Sequence, residues 1–214
     1  MVSSGRVRVN GEVARLGMRA SPGDLIEVDG APVGIAEDLE YHLLNKPRGV
    51  ISTAHDGHGR PTVIDLVPSE VRLYPVGRLD MDSEGLLILT NDGEFAQHLM
   101  HPSGGVEKEY LVALDRRVPA GLSTKLKRGV VVEGVVMRAE RVGVVSDRSL
   151  RIVLREGRNR QIRRMLQALD LDVERLVRVR IGPISDLKLP PGGSRPLTNS
   201  ELIELRTASS GNSR

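Results

Sequence analysis

The chain predicts an α+β fold, on three observations. Strand-length apolar runs recur between residues 41 and 154 with one short helical stretch among them. A clean helix-period stripe follows at Ile162, Met165, Leu166 and Leu169. A capping-box pattern, Thr198-Asn199-Ser200-Glu201, opens a last helix before Leu202, Ile203 and Leu205. Runs of strands with helices set apart from them mark this class, unlike regularly alternating strands and helices.

The elements follow in order. Arg6-Val7-Arg8-Val9 alternates polar and apolar as a half-buried strand does, and Asn10-Gly11 is a two-residue hairpin signal. Pro22-Gly23-Asp24 makes a second turn, Leu25 to Val28 a strand, and Asp29-Gly30 a third turn. A piece of 36 residues is too short to hold its own core. Ala36–Asp38 reads as a linker. Tyr41 to Leu44 is a strand, Asn45-Lys46-Pro47-Arg48-Gly49 a turn, and residues 54–61 an exposed loop. Leu86-Leu87-Ile88-Leu89 is a strand buried on both faces. Asp92-Gly93-Glu94 starts a short helix that Pro102 stops. Strands follow at Lys108–Leu114, on both sides of the Glu133-Gly134 turn, and at Leu150–Leu154. From Thr207 the chain is rich in Ser, Asn and Gly and reads as a disordered tail.

Composition narrows the chemistry. The 214 residues contain no cysteine, which excludes disulfides, thiolate metal sites and a cysteine nucleophile. No segment approaches the ~20 apolar residues of a membrane span, and the first residues carry no signal-peptide pattern, so the expected compartment is the cytoplasm. Three Tyr and one Phe are the only aromatics, so the core is built from Leu, Val and Ile. Net charge is only +3, but residues 151–180 hold nine Arg against four acids while residues 1–36 are balanced. Such clustering is the footprint of a phosphate-rich partner.

Three segments hold candidate chemistry. Gly77-Arg78-Leu79-Asp80-Met81-Asp82-Ser83-Glu84-Gly85 puts three carboxylates in five residues ahead of a buried strand. A calcium loop is excluded, because its twelfth position would be Asn91 and its flanks are strand-like. An Asp-x-Asp phosphatase needs an apolar strand directly before the first Asp, which Pro75, Gly77 and Arg78 interrupt. A lone catalytic Asp80 beside Arg78 and a solvated acidic turn both remain open on these residues alone. Tyr110, between charged neighbours, is a half-buried strand residue or a platform on which a nucleobase stacks. Arg158, Arg160, Arg163 and Arg164 open a helix whose N-terminal end favours anions. Arg163 lies ~100° from Ile162 at the helical period, on the edge of the core, where a charge usually has a carboxylate partner. His98 and His101 lack metal-ligand spacing.

Together these segments resemble the bacterial rRNA pseudouridine synthases of the RsuA/RluB type. The carriers are Gly77-Arg78-Leu79-Asp80 with Ser83 to Gly93, Lys108-Glu109-Tyr110-Leu111-Val112, Glu156 to Met165, and Asn45-Lys46-Pro47-Arg48-Gly49. They stand in the family's order across about residues 40–205. Residues 5–30 are similar to the second half of an S4 RNA-binding domain, without its two opening helices. That implies either a chain start downstream of those helices or a reduced RNA-binding module.

The resemblance implies a mixed, largely antiparallel central sheet flanked by helices, with a catalytic cleft across its middle. It implies a partial S4-like module at 1–36, a catalytic domain at 37–206 and a tail at 207–214. It further implies isomerisation of a uridine in ribosomal RNA to pseudouridine, without metal or other cofactor. Asp80 would act as nucleophile or as base toward the ribose, with Arg163 as its ion-pair partner. Tyr110 would stack on the flipped base and take the C5 proton, and Ile162 would form the opposite wall. Arg78 would fill the vacated space or hold a flanking phosphate. Lys46, Arg48, Arg158, Arg160 and Arg164 would contact the RNA backbone. The loop at 54–66 resembles the large-subunit branch, which points to 23S rRNA; a monomer is expected. The alternative is a non-catalytic rRNA-binding assembly factor on the same fold.

Overall fold

The structure, a computed structural model, describes residues 1–21, 23–33, 38–100 and 105–210, without the side chains of 209 and 210. The expected turn residue Pro22, most of the linker at 36–38, and His101 with the proline stop at Pro102 lie outside the described residues. The chain divides into two compact units, Met1–Leu39 and Glu40–Arg214.

The first unit is a four-stranded antiparallel sheet in the order β2-β1-β3-β4, from β1 (Val7–Val9), β2 (Glu12–Val13), β3 (Ile26–Val28) and β4 (Ala31–Val33). Its two tight turns carry positive φ at both central residues, Asn10-Gly11 at 50° and 84° and Asp29-Gly30 at 53° and 79°. That geometry matches the twist of paired strands, and Asn, Asp and Gly tolerate it best.

The second unit is built on an eight-stranded sheet. Its strands are β5 (Tyr41–Lys46), β6 (Tyr74–Val76), β7 (Glu84–Thr90), β8 (Lys108–Leu114), β11 (Arg141–Ser146), β12 (Ser149–Leu154), β13 (Val173–Ile181) and β14 (Ser194–Pro196); β9 (Val130–Val132) and β10 (Val135–Met137) form a separate hairpin. The order is β11-β12-β8-β13-β7-β5-β14, with β6 also on β7, and the pairing is antiparallel except between β13 and β7. The helices are α1 (Gly93–Met100), α2 (Leu122–Arg128), α3 (Gln161–Gln167) and α4 (Asn199–Ser210). None is long and apolar enough to cross a membrane. The sheet is mixed and largely antiparallel, as expected.

Strand β7 organises the unit. Leu86 and Ile88 pack with Phe95 and Leu99 of α1 and Leu205 of α4, while Leu87 and Leu89 pack with Leu44, Val63 and Leu73 on the other face. Alternate residues of one strand therefore feed two cores, which is why its sequence is a continuous apolar run. A third core joins Tyr110, Val112, Leu150, Ile152 and Leu154 of β8 and β12 to Ile162, Met165 and Leu166 of α3.

One edge of β7 is divided between two partners: β13 pairs at Glu84 and Gly85, and β6 at Ile88 to Thr90. The β6–β7 connection, residues 77–83, thus emerges where β7 changes neighbour, at the middle of the sheet. At the far end, Thr198 and Glu201 exchange hydrogen bonds as a capping box. Helix α4 then continues to Ser210, past Thr207 where the sequence predicted a disordered tail. Its extra turn is held by Thr207 Oγ1 donating to Ile203 O and by the Arg206 guanidinium lying 5.4 Å over the Phe95 ring.

Candidate active site

The 77–83 loop is pinned at several points. Ser52 Oγ donates to Leu79 O (2.9 Å) and accepts from Leu79 N (3.0 Å). Gly49 N donates to Met81 O (2.8 Å), and Ser83 N donates to Asp80 O (3.0 Å). Buried Leu79 anchors the loop into the α3 core. These bonds fix the backbone of Asp80, and no sequence signal pointed to Ser52, which is 27 residues away.

Beneath the loop, Tyr110, Arg178, Gly85 and Lys46 form a row across β8, β13, β7 and β5. Directly paired residues share a sheet face. Gly85 is required there: with φ at 111°, a Cβ would sit 2.2 Å from Arg178 O. Pairing slips between Arg178 and Arg180, an irregularity of the kind found near functional sites.

The loop, Tyr110 of the row, and the start of α3 with the residues before it line an open cleft of about 250 Å³. Asp80, Tyr110 and Ile162 line it together with Arg78, Ser83 and Leu176, and Asp80 is its only carboxylate among the described residues. The volume lies below the roughly 300–1,000 Å³ of sites for drug-sized ligands and suits a single base. Tyr110 is 8% exposed and Ile162 is buried. Arg158 and Arg160 also line the cleft.

The electrostatics depart from the expected pairing. Arg163 does not pair with Asp80. Its Nη2 donates to the backbone oxygen of Asp82 (3.1 Å), its Nη1 to Val173 O (3.0 Å), and its Nε lies 3.4 Å from Asp82 Oδ2. From the core edge of α3 it reaches backbone carbonyls first, so it staples the acidic loop to β13. Its side chain is 13% exposed, and burial lowers its pKa against the pull of Asp82.

Arg160 is the cation nearest Asp80, with Nη1 3.6 Å from Asp80 Oδ2. Its main grip is bidentate on Asp82, at 3.1 and 2.9 Å. The reach depends on its backbone: Arg160 precedes the first turn of α3 at φ 48°, ψ 31°, a left-handed conformation that costs about 1–2 kcal/mol for a residue with a Cβ. The Arg160 hydrogen bond holds the Asp82 carboxyl below its ordinary range, against the effect of burial and with help from Arg163.

The expected backbone contacts divide. Lys46 is fully buried, with Nζ donating to Pro47 O (2.9 Å) and Val50 O (2.8 Å), so it is a structural brace and not an RNA contact. Burial pushes its pKa down to about 8, opposed by Asp80, Asp82 and Glu84. Arg158 pairs with Glu156 and Arg164 with Glu133 at the surface. Arg48 and Arg78 are exposed, with no hydrogen bond or ion pair to another described residue. They are the candidate cations left unengaged.

Comparison with known proteins follows the same lines. A family profile described as RNA pseudouridylate synthase matches residues 40–168. An uncharacterized RNA pseudouridine synthase of Mycobacterium tuberculosis is 44% identical over 218 residues, covering 97% of this chain and 86% of the relative. The ribosomal large subunit pseudouridine synthase B of Bacillus subtilis is 41% identical over 214 residues, covering 96% and 87%. A crystal structure titled as a pseudouridylate synthase superimposes with TM-score 0.76 at 31% identity, over 95% of this chain and 90% of that one.

Proposed function

The chain belongs to the RNA pseudouridylate synthase family, and we propose that it isomerises a uridine of ribosomal RNA, in the 23S molecule, to pseudouridine at Asp80. The N1–C1′ bond breaks, the uracil turns, C5 bonds to C1′, the C5 proton leaves and N1 gains one. The single observation carrying this reading is the cleft in which Asp80 is the only carboxylate among the described residues, facing Tyr110 and Ile162.

Each group has a task in that reaction. The target uridine leaves its stack at a cost of a few kcal/mol. Tyr110 and Ile162 take the base between them, replacing the stacking it lost. Asp80 acts on the ribose or the base, with Arg160 as its nearest cation. Arg163 is a positioning residue that holds the loop through Asp82. Tyr110 takes the C5 proton as its own phenolic proton passes on, so that the net transfer is from C5 to N1. Arg78 and Arg48 contact phosphates, which position RNA without reading sequence. The N-terminal segment 1–36, which holds the β1–β4 sheet, is an S4-like module that adds RNA contacts. The protein acts as a monomer in the cytoplasm.

The direct experiment maps pseudouridine in rRNA from cells lacking the gene, then adds purified protein to that rRNA. The expected result is one 23S site that disappears on deletion and returns with the protein. An unchanged map would refute the reading.

A further inference from the structure

Three buried side-chain polar atoms have no hydrogen-bond partner among the described residues: Ser83 Oγ, Arg163 Nε and Arg178 Nη2. All three belong to the acidic loop or to the elements against it. Buried polar groups are nearly always paired, and the exceptions need an account. The two guanidinium atoms belong to groups that are otherwise bonded, Arg163 to two backbone oxygens and Arg178 through Nε to Leu86 O. Ser83 differs, because its single side-chain polar atom is the orphan. It is 1% exposed, lines the cleft, and its own N–H is bonded to the backbone of Asp80.

Two other polar groups lining the cleft are engaged elsewhere, while Arg78 stands exposed at its rim. Gln161 donates to Arg138 O and Glu156 Oε1 and accepts from Arg158 N, and Arg160 is on Asp82. A uracil leaving water brings two carbonyl oxygens and one N–H that need partners. A serine hydroxyl turns about its Cβ–Oγ bond and can donate to a carbonyl.

We propose that Ser83 is a substrate-binding residue whose hydroxyl donates to a carbonyl oxygen of the flipped uracil both before and after the base turns. The chemistry of the base favours a donor at this place. Turning uracil by half a revolution about its N3···C6 axis exchanges N1 with C5 and, at the same time, O2 with O4. A donor fixed on the cleft wall therefore meets a carbonyl oxygen before and after the turn. It guides the detached ring without having to move.

This proposal rests on the pseudouridine synthase reading, and its test separates the two. rRNA transcripts are made with UTP or with the triphosphate of 2-thiouridine or 4-thiouridine, sulfur being the weaker acceptor. Rates of base isomerisation are compared for wild type, Ser83→Ala and Ser83→Thr. Ser83→Ala should slow the uridine reaction about tenfold, the scale of one neutral hydrogen bond, mainly through KM, because the bond is already made to the bound uridine before the turn. Ser83→Thr, which keeps the hydroxyl, should recover most of the rate. At least one thio substitution should slow the wild type but add no further loss in Ser83→Ala. The melting temperature of Ser83→Ala should not fall, because an unpaired buried hydroxyl contributes no bond to the free protein. A wild-type rate in Ser83→Ala, or equal thio effects in both proteins, overturns the assignment while leaving the enzyme reading intact. A wild type that forms no pseudouridine in the UTP transcript overturns the reading and the assignment together.

Discussion

Arg160 grips Asp82 with both terminal nitrogens, at 3.1 and 2.9 Å, and stands 3.6 Å from Asp80. The two aspartates of one loop therefore have different tasks. Asp82 is a clasp between loop and helix, and Asp80 is the acid left to the cleft.

The division sets an expectation for RNA binding. Arg160 is occupied inside the protein, so Arg160→Ala should slow pseudouridine formation by about tenfold or more while leaving the salt dependence of RNA affinity unchanged. Arg78 is exposed and unengaged, so Arg78→Ala should reduce that salt slope by about one. Filter binding of rRNA over a range of salt concentrations checks both, and equal slopes for wild type and Arg78→Ala would remove Arg78 from the phosphate contacts.

Arg163→Ala should destabilise the fold. It removes two hydrogen bonds from a mostly buried guanidinium to the carbonyls of Asp82 and Val173. The cost should be about 2–4 kcal/mol, or roughly 5–10 °C in melting temperature. Lys cannot span the same acceptors, so Arg163→Lys should recover little. Thermal melts of the three proteins decide it, and a wild-type melting temperature for Arg163→Lys would exclude the staple.

Much of the scaffold was legible in the sequence, because it rests on local rules. The Leu86–Leu89 run, the Ile162-Met165-Leu166 stripe, the Asn10-Gly11 turn and the Thr198–Glu201 capping box each depend on residues within a few positions. The pairing inside the site was not legible. Arg163 meets Asp82 across 81 positions, and Arg160 reaches the loop only through a left-handed backbone. Lys46 looked like an RNA contact because it is charged and sits in a turn-like motif. In the fold it ends β5, pairs with Gly85, and braces the turn at 47–50 through the carbonyls of Pro47 and Val50. Arg164 looked free on its helix face until the β9–β10 hairpin brought Glu133 to it.

Buried Lys46 gives the protein a pH signature. Its folded pKa is lowered to about 8, below the ordinary value of 10.5. Between those values the unfolded chain holds a proton that the folded chain has released, so this lysine makes stability rise with pH from about 8 to 10. Below about pH 8 both states are protonated and the contribution is flat. Urea unfolding at pH 7, 9 and 10 should show wild type gaining on Lys46→Met as pH rises. A constant difference would mean that Lys46 titrates normally.

Gly85→Ala should fail to fold into a stable, soluble protein. The added Cβ meets the backbone of Arg178 at 2.2–2.8 Å, at the junction of β7 and β13. Gly57→Ala, where a Cβ meets nothing within 4 Å, is the matched control and should behave as wild type. Soluble yield and melting temperature check the pair, and a stable Gly85→Ala protein would exclude this close approach of β7 and β13.

Exchange of one carboxylate for an amide at each aspartate is the most direct test of the division of labour. Asp80→Asn and Asp82→Asn are compared on rRNA from cells lacking the gene, with pseudouridine counted at each position. Asp80→Asn should bind that rRNA as wild type does and form no pseudouridine, whereas Asp82→Asn should lose stability and retain measurable turnover. Turnover by Asp80→Asn at the wild-type rate would contradict the assignment of the reaction to this side chain.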